Sequence, residues 1–420
     1  MNGMSHALTP EHSTTGSHAQ AGSWKEHQTL GALAGKIWLP ALITGVAGLV
    51  VAAGAAAFTG GLRQFLFAYL TAFMYVLSFT LGSMLFVLVQ HLTRAGWGVV
   101  IRRMQELIAS AVLPLSILFL PILVAVLMGN GEVYPWNNPA FVADHPLVQA
   151  KASYLNSGWF TVRAVAYFAI WIFITRFLLR NSLKQDQTPD PSITIKLEER
   201  SGPLIFLFAL SCTFAAIDWM MSLAPEWYST IFGVYYFAGS MVGSFALLNL
   251  LIILLQKPAG LLSPISVEHR HDTGKLMFGF TCFWAYIGFS QYMLIWYANI
   301  PEETLWFQAR QNGGWEYVSL VLIFGHFFIP ALLLLRRQFK RSKSQLAFVS
   351  VWLLVMHYVD LYWLIYPQFA PSPVFGLVEI GALVGLVGLF VAALVKAAGQ
   401  HSLLPLNDPR LDESLKFHNI

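Results

Sequence analysis

Residues 65–90 read FLFAYLTAFMYVLSFTLGSMLFVLVQ, a run without one acidic or basic side chain. Crossing the roughly 30 Å hydrocarbon layer of a bilayer takes about 20 apolar residues in a helix. Lipid offers no partner to a bare backbone N–H or C=O, so a run of this length reads as a membrane-spanning helix. Nine more segments meet the same condition; the ten are 37–58, 65–90, 107–128, 157–179, 202–223, 229–256, 275–300, 315–335, 345–366 and 374–395. The expected fold class is an all-α integral membrane protein with ten transmembrane helices over 37–395, a polar N-terminal tail over 1–36 and a C-terminal tail over 396–420.

Composition agrees. Of 420 residues 56% are hydrophobic and 11% charged, against about 25% charged in a soluble domain. So few charges cannot cover a water-soluble body of this size, which excludes an ordinary cytosolic enzyme, a nucleic-acid binder and a disordered scaffold. The net charge of +4 is no sign of a nucleic-acid partner. The two cysteines, Cys212 and Cys282, both fall in apolar runs, and no C-x-x-C or Cys/His cluster exists. That excludes a covalent c-type haem, a thiolate-held iron–sulfur cluster and a disulfide framework. The N-terminal tail lacks the short apolar core of a cleavable signal, so the first span is expected to stay as an anchor. No connection is long enough to fold alone, so soluble machinery has to come from other chains.

Orientation follows from Lys and Arg. Of the 25, Arg163 and Arg176 lie inside the fourth segment, Arg63, Lys151 and Arg310 on the connections of one side, and the other 20 on the opposite side with both tails. The positive-inside rule puts that richer side, and both termini, in the cytoplasm. In a bacterial cell the corresponding location is the inner membrane.

Ionisable groups inside a bilayer cost roughly 2.5–3.5 kcal/mol each on insertion scales, and each asks for a reason. At about 1.5 Å per residue, Arg163, Asp218, Asp360 and Glu379 all lie about 7–9 Å in from the outer side. His357 precedes Asp360 by one turn on the same helix face, His326 in the eighth span reaches nearly the same depth, and Glu316 marks a possible outer mouth. One guanidinium among three carboxyls leaves an excess of acid in a low-dielectric layer, so at least one carboxyl keeps its proton near neutrality. A proton path through Asp218, Asp360, Glu379, His357 and His326, with Arg163 as counter-ion, is the functional reading. Plain pairing between helices is the structural alternative. Two buried histidines also leave open a bis-imidazole haem, and the aromatic stripe of span seven (Phe280, Phe283, Trp284, Tyr286) a stacked quinone. The stretch Glu268-His269-Arg270-His271-Asp272 reads as a polar inner loop whose spacing is weak for a metal. Gly239/Gly243 and Gly381/Gly385 read as close helix crossings without chemistry.

Two stretches carry a resemblance. One is Ile217-Asp218-Trp219-Met220-Met221-Ser222-Leu223-Ala224-Pro225-Glu226-Trp227-Tyr228, continuing through Phe232-Gly233-Val234-Tyr235. The other begins at His271-Asp272-Thr273-Gly274-Lys275-Leu276 and includes Phe283-Trp284-Ala285-Tyr286 and Trp296-Tyr297-Ala298-Asn299-Ile300-Pro301-Glu302-Glu303. Together they resemble the ActF-type membrane subunits of bacterial alternative complex III, within the NrfD/polysulfide-reductase membrane-subunit family. The resemblance implies two four-helix bundles (spans two to five and six to nine) flanked by two peripheral helices. It also implies a place in a quinol:electron-acceptor (cytochrome c) oxidoreductase complex. Its expected partners are an NrfD-like, ActC-like sister membrane subunit, an iron–sulfur subunit and c-type cytochrome subunits, with membrane lipids and menaquinol around them. Haem c and iron–sulfur clusters would sit in those partners and no cofactor in this chain, which would provide a proton pathway. The alternatives are a direct quinol-binding subunit of the same complex, a secondary transporter and a purely structural scaffold. No quinone-ligand motif transfers onto specific positions.

Overall fold

The computed structural model describes residues 28–129, 131–256 and 261–419; of the expected N-terminal tail, 1–27 lie outside the described residues. Every regular element among the described residues is helical. Ten long helices answer to the ten apolar segments: α1 Gly31–Ala56, α2 Gly61–Leu92, α3 Val99–Leu127, α4 Ser157–Gln187, α5 Pro191–Leu223, α6 Phe232–Leu255, α7 Val267–Ala298, α8 Trp315–Leu335, α9 Lys343–Gln368 and α10 Leu377–Gln400. Nine are long and apolar enough to cross a membrane. The tenth, α7, has 32 residues, with its hydropathy diluted by Trp, Tyr and Gln side chains. The chain is an all-α, multi-pass membrane protein.

Several helices outrun the apolar segment that marks them. Residues 180–201 are not a connection: α4 continues to Gln187 and α5 starts at Pro191, with Asp190 as N-cap accepting from Ser192 N at 2.9 Å. Residues 268–272 are not a loop either. They form the first turns of α7 behind the N-cap Ser266, whose hydroxyl accepts from Glu268 N at 3.2 Å. Polarity ends a membrane segment, whereas a cap ends a helix.

α2, α3, α4 and α5 pack as one group, and α6, α7, α8 and α9 as another; the groups join where α2 and α5 meet α6 and where α2 meets α9. α2 is the shared wall, with 89% of its apolar window buried, against 17% for α1. α1 and α10 pack chiefly on each other, and α10 leans on α2. Small residues permit that contact: a Cβ on Gly48 would sit 2.6 Å from Gly385 N, and one on Gly381 2.9 Å from Ala52 N. Larger side chains would hold the two backbones apart.

Two spans are irregular at prolines. In α3 the regular helix is interrupted at Ala111 and Phe119, beside Pro114 and Pro121. Ile122 N turns to Phe119 O, and the freed Leu118 carbonyl accepts the Tyr69 hydroxyl of α2 at 2.6 Å. In α8, Leu322–Phe328 is a π-helical stretch. Pro330, having no N–H, leaves the carbonyl of His326 without its ordinary partner four residues on.

Both ends of the described chain lie on one face, where Leu403 N donates to Gln28 O at 2.8 Å and Leu262 N to Gln28 Oε1 at 3.0 Å. We call this the terminal face and its opposite the far face. Residues 401–416 fold back under the helices, burying Leu403, Leu404, Asp408, Leu411 and Ser414.

Candidate functional site

The acids, histidines and arginine that the sequence placed in one layer divide into three separate sites. The first joins α4 to α5. Arg163 grips Asp218 with two parallel bonds, Nε to Oδ2 at 2.7 Å and Nη2 to Oδ1 at 3.1 Å. Its third nitrogen donates to Tyr154 O at 2.9 Å, and the guanidinium lies 3.8 Å from the Tyr154 ring centroid. Tyr167 adds its hydroxyl to Asp218 Oδ2 at 2.7 Å. This buried carboxylate has its charge matched and its oxygens occupied by donors, which suits a fixed ion pair.

The second site lies in the other helix group. Asp360 of α9 is buried and makes no ion pair among the described residues. Its donors are neutral: Tyr235 Oη of α6 at 2.5 Å and Trp284 Nε1 of α7 at 3.1 Å. One turn away on α9, His357 Nε2 lies 2.8 Å from Ser78 Oγ. The Ser78 hydroxyl already donates to Tyr75 O at 2.6 Å, so Nε2 carries the ring proton and Nδ1 is left as an acceptor. That tautomer is assigned from the bonding pattern. Among the described residues no hydrogen-bond partner meets Nδ1 or either ring nitrogen of His326. The two imidazoles lie 28° apart in plane with centroids 6.4 Å apart, and the Trp284 ring is 4.0 Å from His326. A bis-imidazole haem fits poorly, since Ser78 engages His357 Nε2 and Trp284 closes on His326.

Gly239 and Gly243 take part in this site. A Cβ at 239 would stand 3.1 Å from His357 Cε1 and 3.5 Å from Asp360 Oδ2, and one at 243 would stand 2.9 Å from His357 Cδ2. The expectation that these glycines only serve a helix crossing is corrected: they clear space for the imidazole. The carboxyl of Asp360 and the His357 ring edge flank the same point on α6.

The third site closes the first turn of α10. Glu379 accepts from Gln64 Nε2 at 2.8 Å and Tyr366 Oη at 2.7 Å on one oxygen, and from Gly376 N at 2.7 Å on the other. Glu316 similarly accepts from Gly314 N at 2.8 Å at the start of α8. The expected single layer of acids around one Arg163 is therefore distributed: Arg163 serves Asp218, whereas Asp360 and Glu379 are met by hydroxyl, indole, amide and backbone donors. Their helices belong to different groups, so a shared depth did not become shared contact.

Sequence reasoning missed Ser78, Gln64 and Tyr366 and gave Tyr235 and Trp284 no part in meeting an acid, because the helix order decides which side chains meet. It also placed Arg310 in an outer connection. The side chain is fully buried there, donating to the carbonyls of Trp306 (2.8 Å), Leu364 (2.8 Å) and Trp363 (3.1 Å) with its guanidinium carbon 3.3 Å from the Trp306 ring centroid.

The terminal face holds a further ionic cluster. Arg103 and Glu106 are wholly buried, joined at 3.0 Å, and Arg103 also bonds Asp186 at 2.8 Å; Arg102 pairs with Asp408 of the folded-back segment. At the start of α7, Arg341 grips Glu268 through bonds of 2.6 and 2.8 Å and holds its carboxyl down at about 2. Burial lowers the His269 imidazole to about 4. Among the described residues no three His, Cys, Asp or Glu side chains are grouped to hold a metal ion.

No known family model matches the chain, and no curated protein is detectably similar to it.

Proposed function

We propose that this chain is a non-redox membrane subunit of a quinol:electron-acceptor oxidoreductase complex in a bacterial inner membrane, and that it carries protons. The observation that supports this reading is the group formed by Asp360, His357 and His326. Among the described residues, a buried carboxyl without a cation stands one turn from an imidazole with a free acceptor nitrogen, whose ring centroid lies 6.4 Å from that of a second imidazole without a hydrogen-bond partner. Such groups accept and release protons, whereas a carboxylate locked to a guanidinium does not readily do so. The reading therefore assigns proton carriage to Asp360, His357 and His326, and charge pairing or capping to Arg163, Asp218, Glu379 and Glu316. Tyr235 and Trp284, the donors to Asp360, both come from the stretches that resemble ActF-type subunits. That resemblance suggests the partners: an ActC-like membrane subunit, an iron–sulfur subunit and c-type cytochromes holding the redox centres, with menaquinol as the electron source.

The test is purification through a tag on this chain from native membranes, followed by haem staining and menaquinol-driven proton release in vesicles. Co-purification of c-type cytochromes is expected. Asp360→Asn keeps the side chain's size, with its carbonyl oxygen accepting from Trp284 and its amide nitrogen donating to the Tyr235 hydroxyl, so assembly should persist while the rate of proton transfer through this chain falls by about a hundred-fold, the scale of a lost proton-transfer group. A chain that purifies alone and fully active defeats the respiratory assignment. Unchanged proton release in Asp360→Asn and His357→Gln defeats the proton path and leaves a scaffold. A photoreactive quinone that labels this chain instead of its sister subunit would favour direct quinol binding.

A further inference from the structure

The outward side of α4 carries cations that form no ion pair among the described residues. Phe173, Arg176, Phe177, Arg180 and Asn181 line a groove of about 500 Å³ that continues past Ile172 and Ala169. Arg176 lies 13 residues beyond Arg163 on the same helix, about 20 Å along the axis, and so near the opposite edge of the apolar segment 157–179. Arg176 and Arg180 stand one turn apart on one side of the helix, both exposed. Among the described residues neither forms an ion pair, whereas most buried and half-buried arginines do. Lys196 of α5 adds a third exposed cation, its Nζ 5.6 Å from the Phe177 ring centroid. Glu199, one turn beyond Lys196, pairs with none of the three. Deeper along the groove the lining turns apolar.

Cations at the level of lipid phosphates, with an aromatic and aliphatic track running from them into the hydrocarbon, match a ligand that is anionic at one end and oily at the other. We propose that this groove binds an anionic phospholipid of the terminal-face leaflet. Its phosphate would lie between the Arg176 and Arg180 guanidiniums, whose forks suit phosphate oxygens, and an acyl chain would lie along Phe173, Ile172 and Ala169. The apolar track distinguishes this ligand from free phosphate or an acidic peptide, neither of which gains from it. The lining comes from α4, with Lys196 of α5 beside it, and cations clustered at this level of a membrane attract acidic lipid headgroups.

The test is native mass spectrometry of the full chain, in its complex if it purifies with one, after equilibration with phosphatidylcholine vesicles doped with phosphatidylglycerol. Each cation near an anionic headgroup contributes roughly five-fold in affinity, so Arg176→Gln/Arg180→Gln should retain phosphatidylglycerol about thirty-fold more weakly, with phosphatidylcholine binding unchanged. These side chains form no ion pair among the described residues, so the thermal midpoint should not move. Lys396→Gln, an exposed cation on α10 at the same face, should bind as the native chain does. The proposal is overturned if the double variant keeps its phosphatidylglycerol, if inorganic phosphate displaces the lipid at equal concentration, or if the double variant loses a protein partner while its lipid is unchanged.

Discussion

Asp218 and Asp360 are both buried carboxyls inside helical spans, yet they are solvated in opposite ways. Asp218 receives a guanidinium fork and a phenol, while Asp360 receives a phenol and an indole. Removing one member of a buried ion pair strands the other, which typically costs about 3–5 kcal/mol. Asp218→Ala should therefore lower the thermal midpoint sharply in detergent, and Asp218→Ala/Arg163→Met should recover much of that loss; a double variant no better than the single would refute the pairing argument. At Asp360 no charge is stranded. Tyr235→Phe removes one donor and should cost about 1–3 kcal/mol, read by the same measurement, with a larger effect on proton release than on stability. Asp218, Asp360 and the two histidines were legible in the sequence because an ionisable group in an apolar run is conspicuous. Their partners were not legible. Ser78 is 279 residues from His357, and no property of a serine in an apolar helix announces the imidazole it will meet.

Helices repeat the lesson. The apolar runs located the long helices, because hydrocarbon thickness imposes their length, but they understated α3, which already starts at Val99, and α4 and α5, whose boundary is set by the Asp190 cap and Pro191. Gly381/Gly385 behave as expected and let α1 approach α10, whereas Gly239/Gly243 have the same spacing and make room for a ring instead. Spacing alone cannot separate these uses; the size of the facing residue does. Gly48→Ala should destabilise by about 1–3 kcal/mol through overpacking, because its Cβ would lie 2.6 Å from a backbone nitrogen of α10. Gly35→Ala, on the same helix with nothing within 4 Å, should be neutral or stabilising. Equal midpoints for the two variants would show that α1 and α10 are not in close contact.

For the molecule as a whole, the terminal face determines the response to acid. His269 is lowered from 6.5 to about 4, so the unfolded chain binds its proton first and stability falls as pH drops from 6.5 toward 4. Ser414, Asp272 and Arg270 surround that ring, and His271 and His401, lowered by the same burial, add to the same limb. Glu268, lowered from 4.5 to about 2 by Arg341, stabilises the fold above 4.5 and loses that contribution as pH falls toward 2. Thermal midpoints of the solubilised protein across this range should decline in both windows, and His269→Gln should flatten the upper one; an unchanged upper slope would place the acid sensitivity elsewhere.

The folded-back segment also orders the protein's biogenesis. Arg102 lies at the start of the third helix and meets two carboxylates: Glu106, 3.6 Å away on the same helix, and Asp408, which follows the tenth. During synthesis Glu106 travels with this cation, whereas the contact to Asp408 forms only after the last span has left the ribosome. Until then water or an acidic lipid takes the place of the second carboxylate, and the finished ionic lock becomes a late checkpoint of assembly.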